Sequence, residues 1–218
     1  MKGTYRDLVQ SFTNATGAKL IIKSMISSTV VEFPAFLTNI SQDFKSTWTS
    51  ENVYGRMDPI VSFQNTTRTV QVGFNVPAAS VNEAKQNQAK FSRLSQMLYP
   101  AYFDTTGMTI IPMEEGEQGP PITVQEAEGS KTMAKSPLVR VKFGNLIRAQ
   151  DGTEGLLGWI DGVAFKPTLN LGMFTEGGGN FYAKNFELSF TLNVLHEDDV
   201  GVDSVTGNWL GGNNRFPF

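Results

Sequence analysis

Residues 186–195 read Phe-Glu-Leu-Ser-Phe-Thr-Leu-Asn-Val-Leu, and no segment narrows the possible folds more. Phe186, Leu188, Phe190, Leu192 and Val194 alternate with Glu187, Ser189, Thr191 and Asn193. A period of two places the apolar set on one face of a strand and the polar set on the other. Such a strand is half buried, as in antiparallel sheets; strands of parallel sheets are apolar on both faces. The rule repeats at 69–76, where Val70, Val72, Phe74 and Val76 oppose Thr69, Gln71, Gly73 and Asn75. It repeats at 137–143, where Val139, Val141 and Phe143 oppose Arg140 and Lys142. Weaker strand patterns lie at 19–27, 30–40, 59–63 and 157–166.

One segment follows a helical period instead. Over 81–98, Ala84, Phe91, Leu94 and Leu98 share a side, and Pro100 ends the run. Ser80 and Glu83 have capping-box spacing, so the carboxylate is expected to return to the cap amide. Strands, one helix and more strands make a mainly β (α+β) fold with one flanking helix, not alternating β/α units. A single domain is expected over 1–198, with a long Gly/Pro/Glu-rich loop at 112–136. Residues 199–218 read as a C-terminal arm carrying Trp209, Leu210, Phe216 and Phe218, aromatics suited to docking.

The inventory argues against chemistry. The chain has 218 residues, no cysteine and one histidine, His196. Disulfides, thiolate metal sites and multi-histidine centres within one chain are therefore excluded. Neither a phosphate-cradling Gly-rich loop with Lys nor a G-x-S-x-G elbow occurs. Gly177–Gly179 lacks the strand-to-helix context of a phosphate site and reads as a turn. His196 precedes Glu197, Asp198 and Asp199, which read either as an oxygen-rich cation site or as a solvated strand end. Glu114, Glu115, Glu117, Glu126 and Glu128 form a solvated acidic loop or face a basic patch on a partner. No enzyme activity, cofactor or metal is expected. A net charge of -3 offers no basic excess for specific nucleic-acid binding. The N-terminal stretch has no signal-like apolar run, and no window is long and apolar enough to span a membrane, so no membrane association and a cytosolic address are expected. The sequons at Asn14, Asn39 and Asn65 then read as chance.

Charged residues are only 18% of the chain, and polar neutral residues fill the difference. Such a surface suits contact with neighbouring subunits. The densest candidate surface is 44–59, where Trp48 and Tyr54 flank a Ser-Glu pair. Arg56 and Asp58 stand two apart, on one face if the chain is extended. Trp, Tyr and Arg are interface anchors. Trp48, Tyr54 and Asp58 would equally suit a glycan-binding β-sandwich.

Residues 33–103, from FPAF through WTSENVYGRMDP and the T-R-x-V strand to LSQMLYP, resemble a family of tail-tube-like baseplate proteins of contractile-tailed bacteriophages. PLVRVKFGNLI, GLLGWIDGVAFKPTLNLGMF and the strand ending LNVLHED look similar as well. The resemblance implies an antiparallel tail-tube-like sandwich or barrel and a hexameric ring acting as tube initiator. That ring would join baseplate hub proteins on one side to the tail tube or a second connector ring on the other. It implies a virion protein of the tail baseplate, assembled in the host cytoplasm, with DNA only in transit. The main tube subunit and a related contractile injection system are alternatives. Trp48, Tyr54, Arg56, Asp58, Trp209, Phe216 and Phe218 are the candidate subunit-interface residues. Thr69, Gln71, Asn75, Glu187, Ser189, Thr191 and Asn193 are the candidate lumen-facing residues. Six chains at -3 each carry -18, which suits a channel that must not hold phosphates.

Overall fold

The computed structural model describes residues 19–34, 36–104, 131–197 and 199–211. The strands are β1 (Lys19–Ser24), β2 (Val30–Pro34), β3 (Phe36–Glu51), β4 (Ile60–Pro77), β5 (Ala101–Asp104), β6 (Lys131–Lys135), β7 (Val139–Phe143), β8 (Leu156–Pro167), β9 (Met173–Glu176), β10 (Asn180–Ala183) and β11 (Asn185–Val194). One α-helix, α1 (Val81–Gln96), follows β4. Seven strands form one antiparallel sheet in the order β2-β1-β7-β8-β11-β4-β3. Two small hairpins, β5/β6 and β9/β10, stand outside it. The fold is mainly antiparallel β with a single helix among the described residues, as the alternation requires.

The sheet rolls without closing into a barrel. Phe33 on edge strand β2 meets Phe74 on β4, near the opposite edge, at 5.4 Å between ring centroids. Apolar side chains of β1, β2, β4, β7, β8 and β11 fill the enclosed space. Ile147, from the loop after β7, plugs it and is fully buried. The helix covers the remaining opening: Leu94 is buried, and Phe91 stacks on Phe165 of β8 at 4.5 Å.

The strand β8 departs from strict alternation in an instructive way. Asp161 and Gly162 together oppose the single residue Thr191 of β11. This bulge resets the phase, so that Ile160 before it and Val163 after it both pack on the core. Two residues earlier, Gly158 lies so close to the Asn193 carbonyl that any Cβ would strike it.

The helix starts where the capping signal places it. The Glu83 amide donates to Ser80 Oγ at 3.3 Å. The Glu83 carboxylate, however, accepts from the Ala79 amide at 2.8 Å, one residue before the cap. The helix ends at Gln96 rather than 98, and Met97 is its cap. Residues 131–135 of the expected long loop form β6 instead, paired with β5; the remainder up to 130 lies outside the described residues.

Candidate functional site: a long hairpin and a polar sheet face

The strands β3 and β4 run 16 and 18 residues, about twice what the core can cover. Ile40 pairs with Val72 and Gln42 with Val70; Val70 and Val72 belong to the core, and Ile40 packs against it. Next comes Phe44 opposite Arg68, which is 1% exposed. Arg68 donates to Gln42 Oε1 from Nε at 3.1 Å and Nη2 at 2.6 Å. Gln42 in turn donates to the Leu146 carbonyl at 3.0 Å, tying β3 to the loop after β7. Beyond this border every residue from 45 to 67 is exposed. Pairing nonetheless continues to Glu51 and Ile60.

Alternation carries the core-facing side outward along β3 through Phe44, Ser46, Trp48 and Ser50. On β4, Gln64 is an extra residue between the pairs Thr47–Asn65 and Trp48–Phe63. That bulge keeps Phe63 and Val61 opposite Trp48 and Ser50 on the same face. Trp48 and Phe63 meet edge to face at 5.2 Å, yet they stay 57% and 52% exposed. The opposite face is polar there, and Gln64 donates to Thr49 Oγ1 at 3.1 Å. The outer hairpin thus continues the core's apolar face into solvent.

At the tip, Arg56 N donates to the Val53 carbonyl at 3.2 Å and closes a tight turn. Gly55 takes φ +85 there, a left-handed conformation that other residues enter with strain. The turn corrects the same-face expectation for Arg56 and Asp58. The chain is not extended at these residues, and no ion pair joins them among the described residues. Tyr54 and Met57 are fully exposed. Trp48 is engaged with Phe63 on the stem, while Tyr54 and Asp58 sit at the tip, so the three do not line one groove.

The structure gathers all seven lumen candidates on the other side of the sheet. Glu187 opposes Asn75, Thr191 opposes Gln71 and Asn193 opposes Thr69, with Ser189 opposite Gly73 between them. The Asp161–Gly162 bulge and Gly73 leave a shallow groove in this face, lined also by Asn39, Gln71, Glu187 and Ser189. Asp161 accepts from Asn193 Nδ2 at 2.7 Å and from Trp159 Nε1 at 3.0 Å. Lys166 pairs in register with Glu187. The same face turns basic at β1 and β7, where Lys23 opposes Arg140 and Ile21 opposes Lys142. These cations are largely tied. Lys142 Nζ donates to the Thr153 carbonyl at 2.6 Å, and Lys19 pairs with Glu32 at 3.6 Å.

The described residues after β11, 195–197 and 199–200, are exposed, and Arg140 adds an ion pair there. It grips Glu197 with Nη1 at 2.7 Å and Nη2 at 2.5 Å, and Glu154 with Nε at 3.0 Å. Hydrogen bonding to Glu197, against a smaller desolvation, raises the guanidinium pKa above its ordinary value. Among the described residues no group of His, Asp and Glu could hold a metal ion. Burial, reinforced by the Arg68 charge, pulls the His196 pKa below the ordinary imidazole value.

The described part of the C-terminal arm folds back on itself. Asp203 accepts from the Val205 and Thr206 amides at 2.7 and 2.9 Å, and Val202 bridges to Trp209. Those bonds, Thr206 first, hold the Asp203 carboxyl below its ordinary pKa. Trp209 lies half buried over Gly211. Phe216 and Phe218 lie outside the described residues.

No protein-family model matches this chain, and no curated protein matches it.

Proposed function

We propose that this chain is a structural subunit of a contractile phage tail. Six copies close a ring that connects the baseplate hub to the tail tube, with the polar face of β4 and β11 turned toward the channel. The observation that carries the reading is the outer half of the β3/β4 hairpin. A two-stranded ribbon with no support is marginal in water. Here it also shows Trp48, Phe63 and Val61 to solvent on one face. Copies of the chain that cover this face turn a liability into an interface. A closed ring uses a heterologous contact, which lets the hairpin of one copy meet a different surface of the next. The two edge strands, β2 and β3, offer unpaired backbone groups that such a ring would satisfy.

The channel assignment is supported by chemistry as well as placement. The β4/β11 face offers hydroxyls and amides, with Glu187 its one charge on these two strands and Lys166 of β8 in register beside it. A surface poor in cations where β4 and β11 meet passes a polyanion with little retention. The resemblance of residues 33–103 to tail-tube-like baseplate proteins supports the same reading.

Light scattering of the purified protein, alone and with candidate hub proteins, tests it. The expected result is a mass near 144 kDa, six times the 24.0 kDa chain, alone or on the hub. A monomer under both conditions overturns the proposal. Copy number per tail then separates a connector, with one ring, from the main tube subunit, with many.

A further inference from the structure

A second cavity lies away from the hairpin residues 44–68, none of which lines it. It opens between the turn joining β1 to β2 and the C-terminal end of α1, with a volume of about 260 Å³. That is slightly below the roughly 300–1,000 Å³ common for small-molecule sites, so only a small ligand fits. Among the described residues no carboxylate lines it, and the one charged group that does is Arg93. Arg93 makes no ion pair among the described residues, whereas Lys19, Lys85 and Arg140 each hold a glutamate.

The polar lining has donors to spare. Ser24 is buried, and its Oγ accepts from the amides of Ile26 at 3.2 Å and Ser27 at 3.4 Å. Its own hydroxyl proton remains to be given. Thr29 Oγ1 accepts from Ser27 Oγ at 2.8 Å and likewise keeps its proton. The Gln96 amide adds further N–H groups. The carbonyls that could repel an anion at a helix C-terminus are partly engaged: those of Arg93, Ser95 and Gln96 accept from Met97, Leu98 and Tyr99. The remaining walls are apolar, from Ile26, Met97, Tyr99 and Pro100.

Hydroxyl and guanidinium donors together with apolar walls in one small cavity fit a single chemistry. We infer that this cavity binds a carboxylate carried on a small apolar body. Arg93 supplies the charge-assisted hydrogen bonds, Ser24 and Thr29 supply the neutral ones, and Ile26 and Met97 hold the body. The carboxylate comes either from a free small acid or from a glutamate side chain on a peptide segment.

Amide NMR of the full chain tests this with phenylacetate, with the peptide Ac-Ala-Glu-Ala-NH2 and with neutral phenylacetamide. The expected result is saturable shifts confined to 24–29 and 93–101 for at least one of the two acids, and none for phenylacetamide. Arg93→Gln, an exposed position that leaves folding intact, weakens that binding roughly tenfold. Thr29→Val weakens it by less. Tighter saturation by phenylacetate assigns the free acid, and tighter saturation by the peptide assigns the side chain. Neither acid saturating, phenylacetamide binding as well, an unchanged Arg93→Gln variant, or equal shifts from sodium chloride at matched ionic strength would each overturn the inference.

Discussion

The inner and outer halves of the β3/β4 hairpin share strands, register and face, yet live in different worlds. Inside the border at Arg68, the face holds Val70, Val72 and Phe74, each at most 1% exposed. Outside it, the same face holds Phe63 and Val61, each more than half exposed. What differs is cover. The rolled sheet and α1 enclose the inner half, and nothing described in the chain encloses the outer half. A strand pair therefore specifies which face is apolar, and the surroundings decide whether burying that face stabilises the monomer or an assembly.

The largest effect should come from the inner half. Phe74→Ala removes a ring that packs on Phe33 and Phe190 and should cost about 3–5 kcal/mol in denaturant unfolding. Phe63→Ala, the matching truncation outside, should cost the isolated chain no more than about 1 kcal/mol. Equal losses would erase the distinction. The border itself comes next. Gln42→Ala removes an acceptor that takes two hydrogen bonds from a buried guanidinium and should cost about 1–3 kcal/mol. A neutral result would mean that Arg68 does not mark the end of the core.

A smaller, pH-dependent effect reports on the same border. His196 follows Val194 on the side facing Arg68, and Lys166, Asp161 and Glu187 lie on the opposite face of the neighbouring strands. The other charges beside it are Glu197 and, through that residue, Arg140. Its folded pKa lies below the ordinary 6.5, so the unfolded chain takes up the proton first. Stability from this group is full above pH 6.5 and falls as pH drops from there toward the folded value. His196→Gln should flatten that part of a plot of melting temperature against pH. The smallest effect on the isolated chain should be that of Trp48→Ala, about 0.5–1 kcal/mol from the lost edge-to-face contact, although it should impair ring formation strongly. A monomer-neutral variant that still assembles would remove the outer hairpin from the interface.

These results explain what could be read before the structure. That Thr69, Asn75, Glu187 and Asn193 lie on the polar side of their strands was implied by two clean alternations, because a half-buried strand leaves its burial pattern in its residues; that the two strands pair was not. The polar face followed from the same pattern. The outer hairpin did not, because Lys45–Thr49 and Asn65–Thr67 face solvent on both sides and need no alternation. Residues 44–59 read as a candidate surface with no strand assigned, and the short 59–63 strand is the outer end of β4. Bulges were equally silent, since the extra residue at Gln64 or at Asp161–Gly162 shows itself only against a partner strand. The clamp from Arg140 to Glu197 joins residues 57 positions apart, and no local spacing announces it.

The central claim is that other copies of the chain cover the apolar face of the outer hairpin. Hydrogen exchange at residues 45–51 and 60–67, followed from dilute protein to assembled rings or tails, tests it most directly. The account predicts fast exchange in the isolated chain, with residues 69–76 already protected, and a slowing of at least about tenfold in the outer half on assembly. Outer-half amides that exchange at the same rate in both states would contradict it.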